Sequence, residues 1–101
     1  MNLINLNAFE ILKLFNSNKL SAVEYVSELI SHIKLREPNV EAWAFLNEDL
    51  VKIHAKTIDE KRSNNSQKSF AGIPIGIKDI IDTRDFPTEN GSKTCLGRKP
   101  K

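Results

Sequence analysis

The sequence predicts an α/β fold in which amino-terminal helices pack against the first strands of a larger mixed sheet. Apolar residues recur at helical spacing in three stretches, a short aromatic run interrupts them, and an alternating apolar run follows. All 101 residues are assigned to one incomplete domain, because a chain of this length supports only a single thin core.

Capping boxes mark the starts of the first two helices. Asn7 stands three residues before Glu10, a spacing that lets the two side chains bond free N–H groups at a helix start. Ser21 and Glu24 repeat this pattern. The first helix is expected over residues 7–16. Its apolar face consists of Ala8, Ile11, Leu12 and Phe15.

The second helix has a predicted end as well as a start. We expect it to stop near Arg36, because Pro38 has no N–H group for the helical ladder and disfavours helical backbone at Glu37. Its apolar positions are Ala22, Val26, Leu29, Ile30 and Ile33.

A third helix is expected to open at Asn47 or Glu48 and to end near Arg62. Its apolar stripe consists of Leu50, Val51, His54, Ala55 and Ile58. Residues 63–69 are polar and have almost nothing to bury, so they are predicted to form a mobile surface loop.

The aromatic run at residues 42–46, Ala-Trp-Ala-Phe-Leu, is interpreted as a buried strand between polar neighbours. Trp43 and Phe45 are expected in the core, because they bring the largest apolar area of this stretch. A helical turn is the alternative, since periodicity does not separate the two over so short a run.

Residues 72–78, Gly-Ile-Pro-Ile-Gly-Ile-Lys, are predicted to form a strand that ends in a lysine. Alternation sends the isoleucines to one face and Pro74, Gly76 and Lys78 to the other. Because Gly76 carries no side chain, the strand is interpreted as shaped around a ligand or a neighbouring backbone. Residues 79–101 show no sustained period and should be mostly irregular.

This strand and the residues after it resemble a known family. Residues 72–79 end in Lys78-Asp79, and they are followed by Asp82-Thr83 and by Pro-Thr-Glu-Asn-Gly-Ser at residues 87–92. The combination is similar to the amidase signature family of serine hydrolases, which cleave or transfer amide groups. The order of two helices, a strand and a further helix before the lysine also fits that family.

Two positions depart from the family pattern. Ile80 stands where many members, including subunits that amidate misacylated tRNA, have asparagine, and Asp85 stands where glycine is frequent. Both departures favour a general amidase over a tRNA-amidating subunit.

The resemblance implies a catalytic role for Lys78. The family uses a Ser-cisSer-Lys triad, and the role of its lysine carries over only to Lys78. The two serines belong to a glycine- and serine-rich segment that has no counterpart here, so we expect an amino-terminal fragment that is inactive alone. By the same resemblance, Thr88, Gly91 and Ser92 shape the turn beside the site.

The chemistry sets two conditions around the lysine. A free lysine ammonium has a pKa of about 10.4, so a lysine that serves as a base at neutral pH must be kept out of water. Burial of Lys78 is therefore expected. A carboxylate beside it would oppose deprotonation, but adjacent residues of a strand point to opposite sides. We expect Asp79 to bond backbone N–H groups of the following turn and to organise it, outside the catalytic set.

Composition excludes several classes of function. With 15 basic and 13 acidic residues, the net charge of +2 is too small for a nucleic-acid or anionic-lipid partner. The basic residues Arg98, Lys99 and Lys101 are interpreted as a solvated chain end. No apolar stretch is long enough to cross a membrane and no leader is evident, so a cytoplasmic protein is expected.

No metal or other cofactor is expected. Cys95 is the single cysteine, and His32 and His54 fall on different helices, so no ligand spacing is apparent.

The expected parent activity is hydrolysis of a carbon–nitrogen amide bond in a small-molecule amide. The alternatives are a non-catalytic remnant, a docking piece whose complementing chain carries the serines, and the amino-terminal part of a glutamyl-tRNA(Gln) amidotransferase A subunit. The exposed apolar surface of an incomplete sheet also predicts self-association.

Overall fold

Three α-helices dominate the structure, a computed structural model that describes residues 2–63 and 70–99. The helices are α1 (Ala8–Asn16), α2 (Ala22–Val40) and α3 (Glu48–Ser63). Single 3₁₀ turns lie at Leu3–Asn5 and Lys93–Cys95. None of the helices within the described ranges combines the length and the apolar character that crossing a bilayer requires.

The chain divides into two compact units. The helical unit comprises residues 2–41, 47–63 and 70–74. The loop unit comprises residues 42–46 and 75–99. The boundary between the two units falls after Pro74, within the predicted strand at residues 72–78. Lys78 therefore belongs to the loop unit.

The predicted helix starts are confirmed. The Asn7 side chain accepts a hydrogen bond from the backbone N–H of Glu10 at 2.9 Å. Ser21 Oγ accepts one from the Glu24 N–H at 3.0 Å. The two caps satisfy N–H groups that a helix start leaves without partners, which is why the chain enters α1 and α2 at these residues.

The predicted end of α2 is wrong, because the helix continues through Pro38 to Val40. Proline removes one hydrogen bond, but Pro38 lies in the last turn, where few bonds remain to be lost. Glu41 caps this end: its φ of +51° is left-handed, and its N–H donates to the Glu37 carbonyl at 2.8 Å. The predicted bounds of α3 are confirmed.

The apolar core lies in the helical unit, and side chains predicted on the apolar helix faces supply six of its seven buried members. Its buried members are Ile11, Phe15, Leu20, Ala22, Val26, Ile30 and Ala55. The Phe15 ring meets the Tyr25 ring edge to face at 6.0 Å between centroids, and the Arg62 guanidinium lies 5.0 Å from the centroid of the Phe15 ring. Ala8 and His54 were expected on apolar faces but are exposed.

A carboxylate on α3 completes the start of α2. Asp59 accepts hydrogen bonds from the N–H groups of Ala22 at 2.8 Å and Val23 at 3.1 Å. Negative charge at a helix start is favourable because the partial charges of the free N–H groups are positive there. This contact joins the two longest helices by polar bonds in addition to apolar packing.

The predicted α/β class is wrong for the described residues, which contain helices and irregular backbone but no strand. A strand is stabilised by hydrogen bonds to a neighbouring strand, and among the described residues 74–77 take part in no such ladder. Residues 42–46 are likewise irregular. Trp43 and Phe45 are 41% and 44% exposed, so their predicted place in the core is also wrong.

The predicted loop at residues 63–69 lies outside the described residues from 64 onward, while Ser63 is the last residue of α3.

Candidate functional site

Lys78 lies at the end of an irregular segment in the loop unit, and its side chain is exposed. Its backbone carbonyl accepts a hydrogen bond from the Ile81 N–H at 3.0 Å, which closes a tight turn directly after it. The described residues thus fix the backbone of the lysine. They do not provide the desolvation that we expected around its ammonium group.

Asp79 anchors a second segment to the residue after the lysine. Its carboxylate accepts hydrogen bonds from the N–H groups of Glu89 at 2.9 Å and Gly91 at 3.3 Å. Its backbone carbonyl accepts one from the Asn90 N–H at 3.0 Å. The predicted bonding of Asp79 to backbone N–H groups is confirmed, although these groups belong to residues much further along the chain than the turn that directly follows.

The segment that Asp79 holds is shaped by two consecutive left-handed residues. Asn90 has a φ of +54° and Gly91 a φ of +67°. Asparagine and glycine tolerate left-handed backbone better than other residues, so the Asn-Gly pair in the sequence indicates a turn at this position. The Ser92 N–H then bonds the Glu89 carbonyl at 2.9 Å, which closes the turn.

Thr88 is the buried polar side chain of the described part of the chain, with only 1% of its surface exposed. Its hydroxyl donates to the Ile81 carbonyl at 3.3 Å, and its N–H donates to the Arg98 carbonyl at 2.7 Å. The resemblance implied only that Thr88 shapes a turn. Its central position in the loop unit was missed, since its partners lie seven and ten residues away in the sequence.

Two further polar contacts close the loop unit. Glu89 Oε2 accepts a hydrogen bond from the Gly97 N–H at 2.7 Å. Arg98 Nη1 lies 2.8 Å from Asp82 Oδ1, and this hydrogen bond from Arg98, with its charge, lowers the pKa of the Asp82 carboxyl against a smaller opposing effect of desolvation. Arg98 is exposed, as the interpretation of a solvated chain end requires, but it also pairs with Asp82, which the sequence did not indicate.

Aromatic side chains from residues 42–46 pack within the same unit. A Cβ atom added at Gly76 would lie 3.5 Å from the Trp43 ring, an ordinary van der Waals distance. The Phe45 and Phe86 rings are 5.4 Å apart between centroids. The room beside Gly76, which the sequence assigned to a ligand or a backbone, thus faces the indole of Trp43.

The remaining polar candidates are dispersed. His32 and His54 are exposed, and Cys95 is half-buried. Within residues 2–63 and 70–99, no group of three or more histidine, cysteine, aspartate or glutamate side chains is arranged to hold a metal ion.

Comparisons with known proteins point to one family. A family model described as Amidase matches residues 24–101. The chain is 35% identical over 85 residues to the A subunit of glutamyl-tRNA(Gln) amidotransferase from Chloroflexus aggregans, covering 83% of this chain and 17% of that protein. It is 32% identical over 101 residues to the protein of the same name from Streptomyces avermitilis, covering 99% and 20%.

A third relative, the protein of that name from Rhodopirellula baltica, is 30% identical over 95 residues, or 93% of this chain and 19% of that protein. No solved structure matches. The chain spans about one fifth of the length of these curated relatives. The family match includes Lys78, Asp79 and the turn that Asp79 holds. This chain belongs to the amidase family.

Proposed function

We propose that this chain supplies the lysine-bearing part of an amidase site, in which Lys78 moves protons during attack on the carbon–nitrogen bond of a small-molecule amide. The observation that carries the proposal is the placement of Lys78 beside an anchored backbone, inside the stretch that the family model matches. The anchor matters because a proton-transfer group must be held within hydrogen-bond reach of its partner.

The chemistry needs an activated nucleophile and a proton for the leaving amine. A neutral Lys78 would take a proton from a bridging serine, which takes one from the nucleophilic serine, and the relay then reverses to protonate the amine. These 101 residues contain no glycine- and serine-rich segment, so both hydroxyls must come from other sequence.

The exposure of Lys78 fits a site in which this chain supplies the lysine and other sequence supplies the two serines. A serine-bearing segment packed over the exposed lysine would bring the hydroxyls within reach and remove water from the amine in the same step. Without that segment, the nucleophile and the bridging hydroxyl are both missing. The 101-residue chain alone is therefore expected to hydrolyse no amide.

A chimaera tests the proposal. This chain replaces the matching residues of the Streptomyces avermitilis relative, whose match extends over 101 residues. Turnover of simple amides is then compared among variants. Loss of a general base lowers rates by about 10² to 10⁴, so Lys78→Met should lower kcat/KM by this factor. Lys78→Arg should be equally impaired, because a guanidinium does not release its proton.

Lys93→Met is the matched control, since Lys93 is another exposed lysine of the loop unit. It should retain the activity of the parent chimaera. Equal activity of the Lys78→Met variant and the parent would refute the assigned role. A correctly folded but inactive parent chimaera would instead favour the interpretation of this chain as a non-catalytic remnant.

A second candidate is amide transfer as part of a glutamyl-tRNA(Gln) amidotransferase A subunit. It is favoured by the three relatives described above, all of which carry that name. Ile80 and Asp85 argue for a general amidase instead. In this candidate the partners are the other subunits of the amidotransferase, whereas a general amidase would need no further subunit.

The two candidates differ in what the chimaera does when it is combined with the other subunits of the relative's enzyme. Restored amide transfer to glutamyl-tRNA(Gln) supports the amidotransferase. Hydrolysis of simple amides without transfer supports the general amidase. Reversion of the two departures, Ile80→Asn and Asp85→Gly, should then raise transfer if those two residues are what prevents it.

A further inference from the structure

We propose that Asp79 is a positioning residue for the amidase reaction: it holds the backbone of Lys78 against the turn at residues 89–91 without pairing with the lysine ammonium. The inference rests on the proposed function and deepens it, because it names the group that sets where the lysine amine is presented.

The backbone around the lysine is fixed by four hydrogen bonds. The Lys78 carbonyl accepts one from Ile81, and the Asp79 carbonyl accepts one from Asn90. The two carboxylate oxygens of Asp79 accept the other two, from Glu89 and Gly91. Three of the four bonds therefore end on Asp79, the residue directly after the lysine.

The direction of the carboxylate is as important as its bonds. An aspartate that paired with the ammonium would stabilise the charged, inactive form of the lysine. Here each oxygen of Asp79 is engaged by a backbone N–H group, and within the described residues no ion pair joins Asp79 to Lys78. The charge of Asp79 thus strengthens its hydrogen bonds to two neutral backbone N–H groups, and these bonds hold the residue after the lysine in place.

The anchor point is itself restrained. The Glu89 carboxylate is bonded by the Gly97 N–H at 2.7 Å, and the Glu89 carbonyl is bonded by the Ser92 N–H at 2.9 Å. The turn that receives Asp79 is therefore tied on both sides. The turn is held in place by these bonds even when Asp79 is released. Loss of the Asp79 bonds would therefore shift the backbone of Lys78 relative to the turn.

Kinetics of the chimaera test the inference. A misplacement of a catalytic group by about 1 Å costs on the order of 10² in rate, so Asp79→Ala should lower kcat about 100-fold. KM should be unchanged, because both carboxylate oxygens of Asp79 are engaged by backbone N–H groups and the proposed role is to place the lysine, not to bind substrate. Asp79→Asn keeps the shape and one acceptor oxygen, and its loss should be smaller. Arg84→Gln, which removes a charge from a 94% exposed side chain of the same unit, should retain the parent kcat.

The pH profile separates positioning from direct proton transfer. A positioning role lowers kcat at all pH values and leaves the shape of the profile intact, whereas a proton-transfer role would remove one limb. Amide hydrogen exchange of the 101-residue chain supplies a readout without activity. Exchange at Glu89 and Gly91 should accelerate in Asp79→Ala and stay unchanged in Arg84→Gln.

The outcomes distinguish this inference from the proposed function. If Lys78→Met retains activity, the proposed function fails and the positioning role fails with it. If Lys78→Met abolishes activity while both Asp79 variants match the parent, only the positioning role is overturned. A lost limb of the pH profile, or unchanged exchange at Glu89 and Gly91, would also overturn it.

Discussion

Each of the two units of this chain is held together by a different kind of force. The helical unit buries seven apolar side chains, which include Ile11 and Phe15 with no exposed surface. The loop unit has Thr88 as its buried residue within the described chain. Its segments are joined mainly by hydrogen bonds in which carboxylates accept from backbone N–H groups and a hydroxyl donates to a backbone carbonyl. Lys78 belongs to the second unit.

The helical unit therefore contributes most of the stability, whereas the loop unit carries the residue that we assign to the chemistry. Apolar burial contributes in proportion to area and responds little to pH or salt. A single hydrogen bond contributes only about 0.5–1.5 kcal/mol net, so a unit built from such bonds opens more easily. The residue that we assign to proton transfer thus lies where the backbone is specified by individual bonds, each of which can be removed by one substitution.

The largest expected effect is in the helical unit. Phe15→Ala removes a fully buried ring that contacts Tyr25 and Arg62, and it should lower the free energy of unfolding by about 3–5 kcal/mol. Urea unfolding followed by far-ultraviolet circular dichroism measures this, since the helices produce the signal. Phe9→Ala is the control, because Phe9 is 67% exposed. Equal losses in the two variants would contradict the assigned core.

An intermediate effect is expected in the loop unit. Thr88→Val conserves shape but leaves the Ile81 carbonyl without its donor, which should cost about 1–3 kcal/mol. Trp43, the single tryptophan, belongs to this unit, so its fluorescence follows the local transition.

Thr57→Val is the matched control for Thr88. Thr57 donates to the Ile53 carbonyl at 3.1 Å, but on an exposed stretch of α3, where water can replace the bond. It should leave the Trp43 transition unchanged. An unchanged transition in Thr88→Val as well would show that the buried hydroxyl bond does not hold the loop unit together.

The smallest expected effect concerns the ion pair at the surface of the loop unit. The Asp82 pKa is lowered by Arg98, so the pair stabilises the folded state above the ordinary carboxyl pKa of 3.8. This contribution is lost as the pH falls through the lower, folded-state pKa. Salt should weaken it, because both groups are solvated. An NMR titration of the Asp82 carboxyl measures the shift.

Arg98→Gln should move the Asp82 pKa back toward its ordinary value. Arg84→Gln is the control, since Arg84 pairs with Asp85 instead, at 3.8 Å, and its side chain is 94% exposed. A titration of Asp82 that is the same in the parent and in Arg98→Gln would remove the ion pair from the description of this unit.

Local signals predicted the helical unit well. The caps at Asn7 and Ser21 act within three residues of themselves, and the apolar periods report a face that each helix buries, so both are readable along the chain. The end of α2 was not predicted correctly. Proline breaks a helix when it lies in the interior, whereas Pro38 lies in the last turn of α2.

The loop unit was harder to predict because its bonds join residues that are distant in sequence. Alternation at residues 72–78 indicated a strand, but a strand needs a neighbour, and periodicity does not say whether one is present. Lys78 was identified by resemblance. Asp79 was expected to bond backbone N–H groups on the basis of strand geometry, and it does so although the described residues form no strand. No local pattern reported the burial of Thr88, the partner of Arg98 or the exposure of the lysine.

The cap that Asp59 provides for α2 has a consequence for the order of assembly. Asp59 lies 37 residues after Ala22, so a growing polypeptide releases the beginning of α2 well before this carboxylate emerges. Until then, water must serve the N–H groups of Ala22 and Val23. The first turn of α2 therefore gains these two hydrogen bonds only when α3 packs against it. Protection of the Ala22 and Val23 N–H groups would thus show when the two helices first pair during synthesis on the ribosome.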